Sequence, residues 1–381
     1  MPDDDGAQGP AILQVLPALD GGGVERSALE ITTAIRRAGG RALVASAGGR
    51  LLPRFEHAGA ELFTLDLNSK NPWTIWRNAA RLHALITAHA VRLVHARSRA
   101  PAWSAWLAAR RAGVPFVTTY HGLYREDFPG KHWYNSIMAR GARVIANSHF
   151  TADHVAQRHG VGPERLRVIP RGVDPVSFDP DAIAPERITR LAAAWRVPDG
   201  APVLLLPARL SPRKGQDVLL RALALMRHDS ALAVLVGDAK PADRFGRRLE
   251  ALASELGIAH RVRFAGHCAD MPAAMQIADV VVSAAIEPEA FGRTVIEAQA
   301  MRCLVVATDH GGAAETIREG ETGWRVPPGN PAALAARLDA LLELPPGERL
   351  AAGIRARDWV VAHYTVRAMQ DATIAVYAEL L

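Results

Sequence analysis

The sequence predicts an α/β fold built from two doubly wound, parallel-sheet domains. Three observations predict it. Short apolar runs alternate with amphipathic stretches along the chain. The alternation pauses once, at a proline-spaced segment near the middle. The length of 381 residues exceeds what one hydrophobic core usually organises. Strands alternating with helices argue a parallel sheet covered on both faces.

In the first half, the apolar runs 11–16, 42–46, 62–67, 93–96, 116–120 and 144–146 read as buried strands. Segments 25–37, 73–89 and 102–112 have helical spacing. The pause falls at Arg167-Val-Ile-Pro-Arg-Gly-Val-Asp174, followed by Pro175, Pro180 and Pro185. Prolines and acidic turns there read as an interdomain linker and hinge. Alternation restarts with strands at 203–207, 233–236, 262–264, 280–283 and 304–307, and with helices such as 215–226 and 244–256. A last amphipathic segment, 366–381, follows Trp359 and Tyr364. The expected organisation is a first domain over 1–174 and a second over 175–365, facing across a cleft. A C-terminal helix over 366–381 is expected to pack back on the first domain.

Composition bounds the class. Hydrophobic content of 49% and charged content of 22% are those of a folded globular protein. No apolar run reaches the ~20 residues that span a bilayer, and the acidic start Pro2-Asp3-Asp4-Asp5 is unlike a signal peptide. Cys268 and Cys303 build no disulfide framework and lack partners at metal spacing. The expected compartment is a reducing cytoplasm. The net charge of +6 is uneven: residues 1–176 carry 22 Lys+Arg and 14 Asp+Glu (+8), leaving 23 and 25 (−2) for the rest. A basic half suits nucleic acid, an anionic lipid or an anionic acceptor, and an arginine-rich composition explains it equally well.

The motifs sit where such sheets bind ligands. Asp20-Gly21-Gly22-Gly23-Val24-Glu25-Arg26 follows the first strand, and glycines there let backbone approach a phosphate. The spacing is not G-x-G-x-x-G, so a structural turn is an equal reading. Arg209-Leu-Ser-Pro-Arg213-Lys214-Gly215 follows the first strand of the second domain. Its cations suit a diphosphate, with a solvated basic loop as the plain alternative. His121-Gly122 ends the strand at 116–120, and its ring is a candidate for the crevice or a satisfied core histidine. Asn147-Ser148 reads as a helix cap. Arg171 either holds a phosphate or braces the linker. In Glu289-Ala-Phe-Gly-Arg-Thr-Val-Ile-Glu297 two carboxylates bracket a loop that feeds a helix. A helix start seats a phosphate, and a carboxylate one turn in accepts from sugar hydroxyls.

In this order, the glycine turn, His121-Gly122, Ile169-Pro170-Arg171-Gly172-Val173-Asp174, the Arg209/Lys214 loop and the Glu289-x7-Glu297 block resemble a retaining glycosyltransferase of the large group 1, or family 4, class. The resemblance spans nearly the whole chain. One position departs: the family commonly has Asn where Arg171 stands.

The resemblance implies the GT-B fold, two Rossmann-like domains, and assigns roles. Arg209 and Lys214 would bind the donor diphosphate, and Glu297 the nucleotide ribose. Glu289 would lie beside the transferred sugar. The stretch Ala290, Phe291, Gly292, Arg293, Thr294 and Val295 would meet sugar and phosphate, largely through backbone. Gly22 and Gly23 would approach the β-phosphate. His121 would contact the sugar near its 6-hydroxyl, and the base would lie near Arg263 to His267. His121, Glu289, Arg209 and Lys214 form the catalytic set.

The implied donor is a UDP- or GDP-linked sugar. The implied acceptor is a glycan or lipid-linked hydroxyl, in cell-envelope polysaccharide or lipopolysaccharide synthesis. No cofactor or metal is expected: Asp179-Pro180-Asp181 matches D-x-D by letter only, inside the linker, and the cations would serve the leaving group instead. Expected catalysis is same-face substitution, the leaving phosphate oxygen deprotonating the acceptor. Trp73-Thr-Ile-Trp76-Arg77 and the segment 125–143 mix aromatics with cations. They suit peripheral contact with an anionic membrane or ordinary helix packing. No nucleic-acid signature is present. The competing readings are a nucleotide-sugar 2-epimerase, a non-catalytic nucleotide-sugar-binding protein and, more remotely, a dinucleotide oxidoreductase.

Overall fold

A computed structural model describes residues 9–124, 126–238 and 244–381. The acidic start Pro2–Asp5 and Arg125 lie outside them. The chain divides into two compact units. One comprises the chain up to Arg171 together with Val366–Leu381, and the other is Gly172–Thr365. The division thus falls just before Gly172, ahead of the expected boundary at 174.

The first unit holds a seven-stranded parallel sheet: β1 (Ala11–Val15), β2 (Arg41–Ser46), β3 (Ala60–Thr64), β4 (Val91–Ala96), β5 (Phe116–Tyr120), β6 (Arg143–Ala146) and β7 (Leu166–Val168). Its order is β3-β2-β1-β4-β5-β6-β7. The chain builds outward from β1 to one edge and then from β4 to the other. Side chains alternate between the sheet's faces. Leu13 and Val15 therefore enter one core while Ile12 enters another. The second of these cores is closed by the helix Val366–Ala378, through Met369, Val376 and Tyr377. Arg37 on the helix Gly23–Arg37 fastens it by hydrogen bonds to Gln370 (2.8 Å) and Asp371 (2.9 Å).

The second unit holds six parallel strands: β8 (Val203–Pro207), β9 (Leu232–Val236), β10 (Val262–Gly266), β11 (Val280–Ser283), β12 (Leu304–Thr308) and β13 (Trp324–Val326), in the order β10-β9-β8-β11-β12-β13. β8 is apolar on both faces because both are covered. Leu204 and Leu206 join the core with the helices Gln216–Leu225 and Pro331–Leu342; Val203 and Leu205 join the opposite one with Arg293–Ala300.

The structure departs from the sequence reading in three places. The third strand is Ala60–Thr64 rather than 62–67, because Leu67 is buried from a loop. β7 and β13 were not expected as strands. Pro185, read as part of a linker, starts the helix Pro185–Ala194, where its missing N–H is no loss.

Candidate functional site

In doubly wound sheets ligands bind at the carboxyl ends of the strands where the order reverses. In the second unit that point lies between β8 and β11. The loop carrying Arg209 and Lys214 leaves β8, and the Glu289–Glu297 block lies between β11 and β12. A small pocket opens there, lined by Ala208, Lys214, Ser283, Ala285, Glu289 and Thr294. Lys214 Nζ donates to Glu289 Oε1, and Arg213 pairs with Glu287 at 2.5 Å. Arg209 is exposed, and its side chain makes no hydrogen bond or ion pair among the described residues.

Glycines shape this pocket. Gly215 lies at φ +67°, and a Cβ on it would stand 1.9 Å from the Ala284 carbonyl oxygen. Gly292 (φ +80°) caps the helix Arg293–Ala300 without a side-chain acceptor. A Cβ there would come within 2.5 Å of Ala313 Cβ. The helix start therefore remains backbone, suited to an anion.

Glu297 is buried one turn in, and its Oε1 accepts from Arg293 Nε at 3.2 Å. Thr294 Oγ1 donates to the Pro207 carbonyl (3.4 Å). Phe291 and Val295 are core residues, so their side chains are withdrawn from ligand, and Ala290 is half-buried. His267 is exposed just beyond β10, at the sheet edge. Arg263 donates to the Arg196 and His260 carbonyls. Neither is among the residues lining the pocket.

In the first unit the reversal lies between β1 and β4. Gly22 (φ +158°) begins the helix Gly23–Arg37 with no side-chain cap. A Cβ on Gly22 would stand 2.7 Å from Glu25 Oε2, whereas Gly23 has open space. Burial raises the Glu25 pKa.

Behind this turn lies a polar network that the sequence reading missed. Arg97, directly after β4, is 2% exposed. It donates through Nε to Gln14 Oε1 (2.9 Å) and through Nη1 to Ser27 Oγ (3.4 Å). His95 bridges Tyr377 (2.6 Å) and Thr119 (2.7 Å). The signal available was position alone: a cation at the end of an apolar run is a strand-end residue.

Arg171 is 7% exposed and sits in this network. Its guanidinium donates to Ser27 Oγ and to His121 Nδ1. The His121 pKa lies well below the ordinary histidine value, chiefly through burial and then through the charges of Arg171 and Arg97. The ring is therefore neutral. Asn147 is buried, and Ser148 caps the helix His149–His159 through the Thr151 amide (3.0 Å).

The aromatic segments divide. Trp73 and Trp76 are 69% and 62% exposed and stack at 5.3 Å. Phe128 and Trp133 are exposed, with Lys131 over Phe128 and Trp133 stacked on Trp103. Ile137 and Met138 are core. Among the described residues no helix is long and apolar enough to cross a membrane. None of their His, Cys, Asp and Glu side chains form a group of three or more placed to hold a metal ion.

A cationic loop and a backbone-rimmed helix start thus lie at the switch point of a doubly wound α/β sheet. Residues 21–176 match the profile of Glycosyltransferase Family 4, and residues 188–359 that of Glycosyl transferases group 1. The chain belongs to this family. It is similar to a glycosyltransferase crystal structure from Rickettsia africae, with a TM-score of 0.90 and 36% identity over 97% of this chain and 98% of that one. HepE of Anabaena in complex with UDP-glucose gives 0.84 and 27% over 97% and 100%.

A Mycolicibacterium smegmatis protein, named GDP-mannose-dependent alpha-(1-6)-phosphatidylinositol monomannoside mannosyltransferase, is 32% identical over 76% of this chain and 77% of its own. A Thermomonospora curvata protein, named D-inositol 3-phosphate glycosyltransferase, is 33% identical over 65% of this chain. This chain spans 63% of that relative's length. The two doubly wound, Rossmann-like units are those of the GT-B fold class.

Proposed function

We propose that this protein transfers a sugar, with retention at its anomeric carbon, from a UDP- or GDP-linked donor to a hydroxyl of a glycan or lipid-linked acceptor. The observation that carries this reading is the pocket between β8 and β11, where Lys214, Glu289 and the Gly292 helix start converge. The solved UDP-glucose complex of HepE and the GDP-mannose dependence in the name of the mycobacterial relative support the donor class.

Arg209 and Lys214 bind the diphosphate and stabilise the charge that develops on it. Glu297 accepts from the ribose, Glu289 lies at the sugar, and His121 hydrogen-bonds the sugar. The acceptor oxygen bonds to the anomeric carbon as the bond from that carbon to the β-phosphate oxygen breaks. The departing phosphate oxygen takes the hydroxyl proton, and nucleoside diphosphate leaves. The cations make the reaction independent of metal.

The product belongs to envelope polysaccharide or lipopolysaccharide synthesis. Exposed Trp73, Trp76, Phe128 and Trp133, beside Arg77 and Lys131, rest on an anionic membrane surface at its cytoplasmic face. Incubation with UDP-glucose or GDP-mannose and candidate acceptors, with and without chelator, tests the reading. An α-linked product from the α-linked donor, formed equally with chelator, is expected. An inverted product removes same-face substitution, and epimerised donor without acceptor favours isomerisation.

A further inference from the structure

We propose that Arg171 is a positioning residue that locks His121 as its Nε2–H tautomer, so that the ring meets its ligand as a hydrogen-bond donor and not as a base. The inference rests on the reading above for the identity of that ligand, a hydroxylated sugar. It rests on this chain's own geometry for the tautomer.

A guanidinium has donors and no acceptor. It donates to Nδ1 of His121, so Nδ1 offers its lone pair and carries no proton. The ring is neutral, and its single proton is therefore on Nε2. Nε2 is buried and has no hydrogen-bond partner among the described residues. A buried donor left unsatisfied is destabilising, and such an atom at a strand end calls for a ligand oxygen.

The lock is itself held in place. Arg171 shares Ser27 Oγ with Arg97, and Arg97 is fixed on Gln14, whose amide donates to Thr32 and to the Ala28 carbonyl. The Ile169 amide ties the approach to Arg171 onto Ala146 at 2.8 Å. An asparagine at this position would both donate and accept. It would leave either tautomer open, whereas arginine dictates one.

The test is nitrogen NMR of the full-length protein labelled with 15N-histidine, His121 being assigned by the signal lost in His121→Gln. The expected wild-type spectrum has His121 Nδ1 bare and Nε2 protonated near neutral pH. Arg171→Lys, also donor-only, retains that pattern, and Arg171→Gln admits the other tautomer. With a transferable donor, Arg171→Gln loses about tenfold in kcat/KM, the scale of one buried hydrogen bond, and Arg171→Lys recovers most of it. A wild-type ring protonated on Nδ1, or on both nitrogens, overturns the proposal whatever the variants do. The expected tautomer with no sugar transfer from any donor would instead overturn the transferase reading and leave the lock standing.

Discussion

Lys214 and Glu289, 75 residues apart in sequence, are bonded to each other at the carboxyl ends of β8 and β11. The lysine proposed above for the donor diphosphate is thus held by a partner from the other loop. Arg209, its neighbour on the same loop, is held by no other described residue. The two cations should therefore respond differently to removal. Arg209→Ala is expected to cost on the order of 2–4 kcal/mol of transition-state stabilisation with an unchanged melting temperature. Lys214→Ala should cost as much in rate and also about 1 kcal/mol in stability, because Glu289 loses its partner in a half-exposed site. Kinetics and calorimetry on the two variants check the contrast.

The two carboxylates of the Glu289–Glu297 block should separate by ligand. Glu297→Gln is expected to weaken UDP or GDP alone by on the order of 1–3 kcal/mol, the cost of a charged hydrogen bond to ribose. Glu289→Gln should leave the nucleotide's affinity unchanged or tighter, since Lys214 is released from its pair, while lowering turnover of the nucleotide sugar. Titration of nucleotide and nucleotide sugar against both variants reads this out.

Gly215→Ala should unfold the site. The backbone there is left-handed, and the added Cβ would meet the Ala284 carbonyl. A loss of about 2 kcal/mol or more is expected in urea unfolding. Gly23→Ala, with open space around its Cβ, should be tolerated within about 0.5 kcal/mol.

A pH dependence follows from Glu379. Hydrogen bonds from Arg167 and Arg143 hold its pKa down to about 2. They tie the chain just beyond the last helix to β7 and β6, with Arg143 Nε at 2.6 Å and Arg167 Nη2 at 2.8 Å. The folded-state pKa lies below the unfolded value, so the stabilisation is fully present above about pH 4.3. It is lost as pH falls through about 2. The difference in urea midpoint between wild type and Glu379→Gln should shrink over that window. A constant difference would remove the coupling.

The legible parts of this fold were those set by local pattern. Central strands such as Val203–Pro207 are uninterrupted apolar runs because both faces are covered. The edge strands Leu166–Val168 and Trp324–Val326 have three residues each and mostly half-buried side chains, so no apolar run announces them. The site's chain-adjacent pieces were readable too, since strand ends fix where Lys214 and Glu289 emerge. Arg97, Gln14 and Tyr377 were not, because Arg97 meets Gln14 only when β1 and β4 pair, and Tyr377 reaches His95 only when the C-terminal helix closes on the first sheet. Arg171 was left between phosphate and linker. Its side chain instead turns into the first unit, onto Ser27 and His121.

The most direct test of the account is calorimetric titration of UDP-glucose and GDP-mannose into the wild-type protein and Lys214→Ala. The account predicts saturable binding of at least one nucleotide sugar by the wild type, with affinity reduced about tenfold or more in the variant, as loss of a charge-assisted phosphate contact requires. Equal affinity in the two proteins, or no binding of either ligand to the wild type, would contradict the assignment of the β8–β11 pocket to the donor.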